Sequence, residues 1–390
     1  MTVTEAGRRA ADVTLTGPAP APAAAVVTGL AHAVPAPMAQ DDLWRDYFAA
    51  HYADNPLAAR VWRTAGIERR HGVVNPAVED ISLLGTGARM ARFVAEAMPL
   101  GQEAVGAALA SAGLHPEDVG LFGVVSCTGY ATPGLDILLA RDLGMHPDVQ
   151  RLVVGHMGCY AALPGLGTVS DFVVARSRPA VLLCLELTSL HVQPPSETSR
   201  SGSPTEQDLQ QMVAHALFSD AAAAVVVEPR RSETGTTPSG PWASSGLRVV
   251  DVVARTDVST SELMTWDVTD LGFRMGLSPK VPEVLAKHVL GVVTALLGRN
   301  GLSVDDVAGW AVHPGGRRIL EVVQERLGLD DQATTASYDV LRDYGNCSSA
   351  TVLLVLEQLQ RTQDLTSADP VVALAFGPGL TLYATLLRVV

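Results

Sequence analysis

Of the four cysteines in this 390-residue chain, at 127, 159, 184 and 347, one stands where nucleophilic chemistry is favoured. In RLVVGHMGCYAALPGLG, Cys159 follows an apolar strand and opens a helix. Its sulfur would lie near unpaired backbone N–H groups and the positive end of a helix dipole, which favours the thiolate. The alternative for a lone Cys is a small core hydrophobe. WAVHPGGRR places His313 directly after an apolar strand and before Pro-Gly-Gly, a sharp turn that presents the imidazole at a strand end. There it either acts on a substrate or satisfies a turn hydrogen bond. In DYGNCSS, Asn346 opens a further helix, where its amide either caps the helix or donates into a cleft. Together, a thiol, an imidazole and a carboxamide are parts for acyl transfer: a nucleophile and two donors.

The chain's internal similarity brings these groups together. AGLHPEDVGLFGVVSCTG (112 to 129) resembles NGLSVDDVAGWAVHPGG (300 to 316), and Gly113 with Gly301, like Cys159 with Cys347, are 188 residues apart. The segments after the two cysteines both read as helices, and RPAVLLCLEL (178 to 187) and DPVVALAFGPG (369 to 379) read as matching buried strands. Two pseudo-symmetric α/β halves follow, with Cys159 and Asn346 at nearly equivalent helix starts facing one another. Continuous Val/Ile/Leu-rich strands between helices call for sheets covered on both faces. Residues 1–24 read as a flexible Ala/Pro-rich tail and 25–228 as the half carrying Cys159. Residues 229–246 read as a polar connecting loop and 247–390 as the half carrying His313 and Asn346.

Composition narrows the function. Lys plus Arg number 28 against 41 Asp plus Glu, a net charge of −13 that repels phosphate backbones, so nucleic acid is not an expected partner. The cysteines form no close pairs of the kind metal sites use and are too few for a disulfide scaffold, which suits a reducing cytoplasm. Apolar runs broken by Gly, Asp or Arg fall short of the ~20 residues that cross a bilayer, so integral membrane association is not expected.

GCYAALPGL around Cys159, ALFSDAAAAVVV around Phe218, AVHPGG at His313, DYGNCSSATVL at Asn346 and the terminal AFGPGLTLYATLL stand in an order and spacing that resemble one family. This is the type III polyketide synthases, the chalcone synthase-like branch of the thiolase fold, and the resemblance runs from about residue 26 to the C-terminus. VVGHMGCYAALPGLGT is most similar to the bacterial alkylpyrone and alkylresorcinol synthases. The resemblance implies a layered αβαβα core and a homodimer that extends an acyl-CoA starter, held as a thioester on Cys159, with malonyl-CoA units. His313 and Asn346 would bind the thioester oxygen of malonyl-CoA while carbon dioxide leaves. Cyclisation to a pyrone, resorcinol or related aromatic follows, with no metal, nicotinamide or flavin.

The resemblance carries further residues over. Phe218 matches a gate phenylalanine, with core packing as its alternative. Cys127, Thr128, His191 and Ser348 fall where the elongation cavity is shaped, and His191 either bonds a polyketide carbonyl or fills space. Thr132 falls where a residue reaches across the dimer into the partner's cavity. Met275 replaces the second gating Phe of plant members, a softer wall. Arg60 and Arg63, with Gly315 and Gly316, match CoA-contacting positions, though a third basic position is Thr64. Arg69 and Arg70 read as either further cations for CoA or a solvated face. Cys184 and Cys347 read as packing. The rival readings are a single condensation on a carrier protein, as in ketoacyl-carrier-protein synthase III, a malonyl-only aromatic synthase, and a catalytically silent subunit.

Overall fold

The computed structural model describes residues 24–53, 55–200, 204–230 and 246–390. Of the tail anticipated at 1–24 and the connecting loop at 229–246, residues 1–23 and 231–245 lie outside the described residues, whereas Ala24 begins a strand and residues 229 and 230 end one. The main strands are β1 (Ala24–Ala33), β2 (Leu121–Ser126), β3 (Gln150–Gly155), β4 (Ala180–Glu186), β5 (Ala221–Arg230), β6 (Leu247–Thr256), β7 (Gly309–Val312), β8 (Pro370–Gly377) and β9 (Thr381–Val389). They hydrogen-bond in the order β7-β8-β9-β6-β1-β5-β4-β2-β3. The link between β6 and β1 is a seam of two pairs, Val26 with Arg248 and Val27 with Leu247. The ladder is therefore two sheets, one from each half, joined at a corner.

The longer helices are α1 (Pro56–Thr64), α2 (Thr86–Ala112), α3 (Leu135–Leu143), α4 (Ala162–Arg176), α5 (Glu206–Leu217), α6 (Val281–Arg299), α7 (Arg317–Leu327), α8 (Thr335–Tyr344) and α9 (Thr351–Thr362). Helices α4 and α9 lie between the sheets and touch strands of both, sharing one apolar core with them. Helices α2 and α3 cover the outer face of the first sheet, and α6 and α7 that of the second. The result is the five-layered αβαβα arrangement of the thiolase fold. Strand β4, AVLLCLE, is buried throughout, as a strand covered on both faces must be. Helix α6 is long and apolar enough to cross a bilayer, but Leu285, Val289, Val293 and Leu296 pack it on the second sheet.

The repeat seen in the sequence has a local cause. Gly113 and Gly301 end α2 and α6 at φ 71° and 69°, the left-handed turn that glycine adopts without strain. The acidic pairs that follow form short 3₁₀ turns in which Asp118 and Asp306 accept from the N–H groups of His115 and Ser303. One strand departs from expectation. RLVVG forms β3 at the edge of the sheet, and Val153 is 57% exposed.

Candidate active site

Cys159 lies just before α4, in a turn held from the opposite half. Gly158 takes φ 77°, and a Cβ there would strike Pro378 at 2.7 Å. A Cβ on Gly377 would come within 3.2 Å of the Cys159 nitrogen and 2.8 Å of the Tyr160 ring. The FGPG ending is thus glycine-rich because the end of β8 closes onto the Cys159 peptide. Cys159 is 8% exposed, and burial pushes its thiol up to about 12, while hydrogen bonds from Ser348, its own N–H and Asn346 pull the other way. The helix-start argument fixes the direction of those bonds, but desolvation outweighs them and the resting thiol is neutral. His313 follows β7 and is 1% exposed. Burial lowers it to about 3, and neither ring nitrogen bonds a protein group among the described residues. It is a neutral imidazole with both nitrogens free for chemistry.

The Asn346 Oδ1 accepts from the Ser348 N–H at 2.9 Å and lies 3.5 Å from the Thr351 hydroxyl, which orients the carboxamide and leaves the Nδ2 donor for the Cys159 side of the cavity. Its backbone is bridged to Phe218: the Asn346 N–H donates to Leu217 O at 2.9 Å, and the Ser219 N–H donates to Asn346 O at 3.0 Å. Phe218 stands at the C-terminus of α5, where Arg70 Nη1 donates to its carbonyl at 2.9 Å.

Cys159, His313, Asn346 and Phe218 line one cavity of about 520 Å³, with Cys127, Met275, Ser348, Gly315 and Gly316 also in its wall. The other anticipated residues fall elsewhere. Thr128 donates to Glu186 and accepts from the Leu187 N–H, both at buried sites outside this wall. Of the two readings of His191, the structure supports filling space. Its Nε2 donates to Thr128 O at 2.7 Å, its Nδ1 accepts from the Phe273 N–H at 3.0 Å, and its ring stacks on Phe273 at 4.7 Å, so no nitrogen is left for a polyketide carbonyl. Thr132 donates to the Tyr130 hydroxyl on an exposed loop. Arg60 is exposed on α1, while Arg63 joins Arg317 and Arg342 in a shallow groove. Cys184 and Cys347 are fully buried in the core. Arg69 is an exposed partner of Asp343, whereas Arg70 is 5% exposed and belongs to no solvated face.

Several residues of the site escaped the sequence reading. Glu186, with no exposed surface, ends β4 and accepts from the Cys127 N–H at 3.0 Å, the Thr128 hydroxyl at 2.8 Å and the Ser349 hydroxyl at 2.6 Å. Burial pushes it above the usual carboxylate range against those bonds. Its oxygens lie 3.5 Å from Cys127 Sγ, whose thiol burial and the nearby carboxylate push well upward. A single acid inside an apolar strand, LLCLEL, was the available signal. Trp266 sits opposite Met275 in the hairpin formed by Met264–Thr269 and Gly272–Leu277, and its Nε1 donates to Cys127 O at 2.6 Å. Arg317 and Arg318, at the start of α7, also line the cavity, adding cations to its wall.

Such a cavity, with a thiol, an imidazole and an amide donor between two thiolase-type halves, defines a thioester-condensing enzyme. Residues 21–230 match the N-terminal domain of chalcone and stilbene synthases and residues 253–390 match the C-terminal domain. The chain belongs to this family and is a type III polyketide synthase. It is 29% identical over 388 residues to the alpha-pyrone synthesis polyketide synthase-like Pks18 of Mycobacterium tuberculosis, covering 96% of this chain and 93% of that protein. It is 36% identical over 341 residues to the 1,3,6,8-tetrahydroxynaphthalene synthase of Streptomyces peucetius subsp. caesius, covering 86% and 84%. Among solved structures, PKS-I of the brown alga Ectocarpus siliculosus superposes with a TM-score of 0.80 at 28% identity, covering 95% of this chain and 99% of that one. The C-terminal type III domain of Steely1 from Dictyostelium gives 0.82 at 26% identity, covering 94% and 99%.

Proposed function

We propose that Cys159, His313 and Asn346 carry out iterative condensation of malonyl-CoA onto an acyl-CoA starter, followed by closure to a pyrone, resorcinol or related aromatic. The observation that carries this reading is their convergence with Phe218 on one cavity. Because burial holds the thiol and the imidazole neutral, the Cys159 proton passes to His313 as Sγ attacks the starter thioester. Coenzyme A leaves with that proton and the acyl group stays on sulfur. Malonyl-CoA then binds with its thioester oxygen facing His313 and the Asn346 Nδ2–H, and loses carbon dioxide. The electron pair of the broken C–C bond passes into an enolate held by those donors, each worth about 3 kcal/mol in the transition state. The enolate carbon attacks the acyl carbonyl, the Cys159 sulfur leaves, and a chain two carbons longer remains on CoA to reload. Phe218 supplies an apolar wall that favours loss of the charged carboxylate. Arg317 and Arg318, in one wall with Gly315 and Gly316, and Arg63, in the groove that Arg317 also lines, supply positive charge for the CoA phosphates.

The protein is proposed to work as a homodimer joined near the exposed edge of β3, with Thr132 reaching the partner from its exposed loop. Its four free cysteines suit a cytoplasmic location. The 36% identity to a tetrahydroxynaphthalene synthase supports a second reading, priming by malonyl-CoA alone. Incubation with malonyl-CoA, with and without acetyl- to long-chain acyl-CoA, followed by mass analysis, tests both. Products whose masses track the starter support the first, and one starter-independent aromatic supports the second. Products formed only from carrier-bound substrates overturn both. Cys159→Ala should abolish every product while leaving thermal unfolding unchanged, and turnover in that variant would remove Cys159 as nucleophile.

A further inference from the structure

Behind Phe218 lies a second cavity of about 70 Å³, which shares only Phe218, Trp266 and Met275 with the reaction cavity. It has room for a few water-sized groups. Arg70 lines it. The guanidinium is anchored on one side, where Nη1 donates to His215 O at 2.6 Å and Phe218 O at 2.9 Å, and the Trp62 ring covers its face at 4.4 Å. Its Nε and Nη2 are buried and have no hydrogen-bond partner among the described residues. These two groups form a single edge of the guanidinium, the edge that meets a carboxylate through two parallel hydrogen bonds. Arg274 lines the same cavity, and its Nε is likewise buried and unpartnered. No Asp or Glu among the described residues lines the cavity. Asp220, whose charge reaches Arg70, is already engaged by Val73, Thr188 and Ser189. Burial drags Arg70 down to about 9. In a chain of net charge −13, two cations and no carboxylate have been gathered around one small buried space.

We propose that the cavity behind Phe218 is a carboxylate subsite, in which the Nε and Nη2 edge of Arg70 receives the two oxygens and Arg274 adds the second positive charge. The occupant is the carboxyl group at the far end of an acyl chain carried on Cys159, or a free small carboxylate. Entry from the reaction cavity requires displacement of Met275 or Phe218, and the unbranched Met275 side chain moves readily. The chain-terminal form rests on the reading of Cys159 as the acyl carrier.

The test compares glutaryl-CoA with valeryl-CoA, acyl groups of equal length that differ in a terminal carboxylate. Wild-type enzyme is expected to prefer glutaryl-CoA in kcat/KM, and the glutaryl-to-valeryl ratio should fall tenfold or more in Arg70→Lys, which keeps one charge but loses the fork, and in Arg274→Gln. Thermal unfolding establishes that each variant is folded. Because Arg70 also anchors the end of α5, Arg274→Gln keeps the test decisive if Arg70→Lys fails to fold. A ratio unchanged in Arg274→Gln overturns the chain-terminal form. Free glutarate that inhibits valeryl-CoA turnover in wild type but not in Arg274→Gln supports the free-carboxylate form. If wild type extends neither starter while making product from malonyl-CoA with another starter or alone, these two are not its substrates, and crystals soaked in sodium bromide decide the subsite independently. An anomalous bromide peak between Arg70 and Arg274 supports it, and ordered water alone at both guanidinium edges overturns it.

Discussion

Replacing Asn346 with Asp keeps the side chain's shape and its oxygen toward the Ser348 N–H and the Thr351 hydroxyl, but exchanges the Nδ2 donor for an acceptor. The local turn should therefore keep its hydrogen bonds, while the unpaired carboxylate at this buried position lowers stability at neutral pH. Catalysis should fall. Losing one donor to a developing enolate costs about 10²- to 10³-fold, or roughly 3 kcal/mol, which is the whole expectation for Asn346→Ala. The Asp variant also sets a negative charge against the enolate oxygen. At about 4 Å and an effective dielectric near 20 that adds ~4 kcal/mol, roughly another thousandfold. Carbon dioxide release from malonyl-CoA without starter isolates this step, and mass analysis of acyl-Cys159 after a starter pulse isolates loading. Decarboxylation in Asn346→Asp should fall about a thousandfold below Asn346→Ala at neutral pH, with loading affected far less. Burial pushes the introduced carboxyl upward, so the gap should narrow as pH falls and the group becomes a donor again. An Asp variant that decarboxylates within tenfold of the Ala variant at neutral pH would refute this reasoning.

Trp266→Ala removes the indole standing between the two cavities of about 520 and 70 Å³, so products should shift to more extensions by mass, at a cost of roughly 2 kcal/mol from lost packing and one hydrogen bond; an unchanged distribution would show that the wall lies elsewhere. Burial holds His51 and His191 near 4 and His313 near 3, below the ordinary 6.5. The unfolded chain then binds more protons than the folded one below pH 6.5, so stability is lost as pH falls from there toward 4, by about 2 kcal/mol per histidine at pH 5. A melting temperature constant from about pH 7 to 5 would contradict this. Arg63→Ala with Arg317→Ala should raise KM for acyl-CoA up to about fivefold per charge, more at low salt, with kcat spared. A KM independent of salt and of both arginines would place the CoA phosphates elsewhere.

The layers, the repeat and the convergence of Cys159, His313 and Asn346 on one cavity were legible because each rests on a local pattern. Buried strands are continuously apolar, helix ends carry glycine, and the trio sits where strands and helices change over. Legibility failed where a side chain's role depends on what reaches it from a distant segment. His191 looks like a catalytic type, yet the Thr128 carbonyl and the Phe273 N–H consume both nitrogens. Arg70 sits in a run of charges that reads as solvated, but Trp62 and the end of α5 enclose it. The resting state of Cys159 is a further case, because helix position predicts the sign of one contribution and cannot weigh it against burial. Strand β3 reads as apolar and lies at an edge, since one strand's sequence does not say how many neighbours it has.

The duplication also explains how the site is assembled from two halves. The turn leading into β5 carries Leu217, Phe218 and Ser219, and it clamps the Asn346 segment of the second half through two backbone hydrogen bonds. The equivalent turn leading into β9, residues 377–379, closes on the Cys159 segment of the first half. Each half therefore supplies one catalytic helix start and the clamp for the other half's. One clamp had to become glycine, because a side chain at Gly377 would collide with the peptide of the nucleophile. The other could carry Phe218, because a bridge between strands leaves its side chain directed into the cavity. The same topological position thus gave close approach in one half and an apolar wall in the other, and neither half holds a complete site without its counterpart.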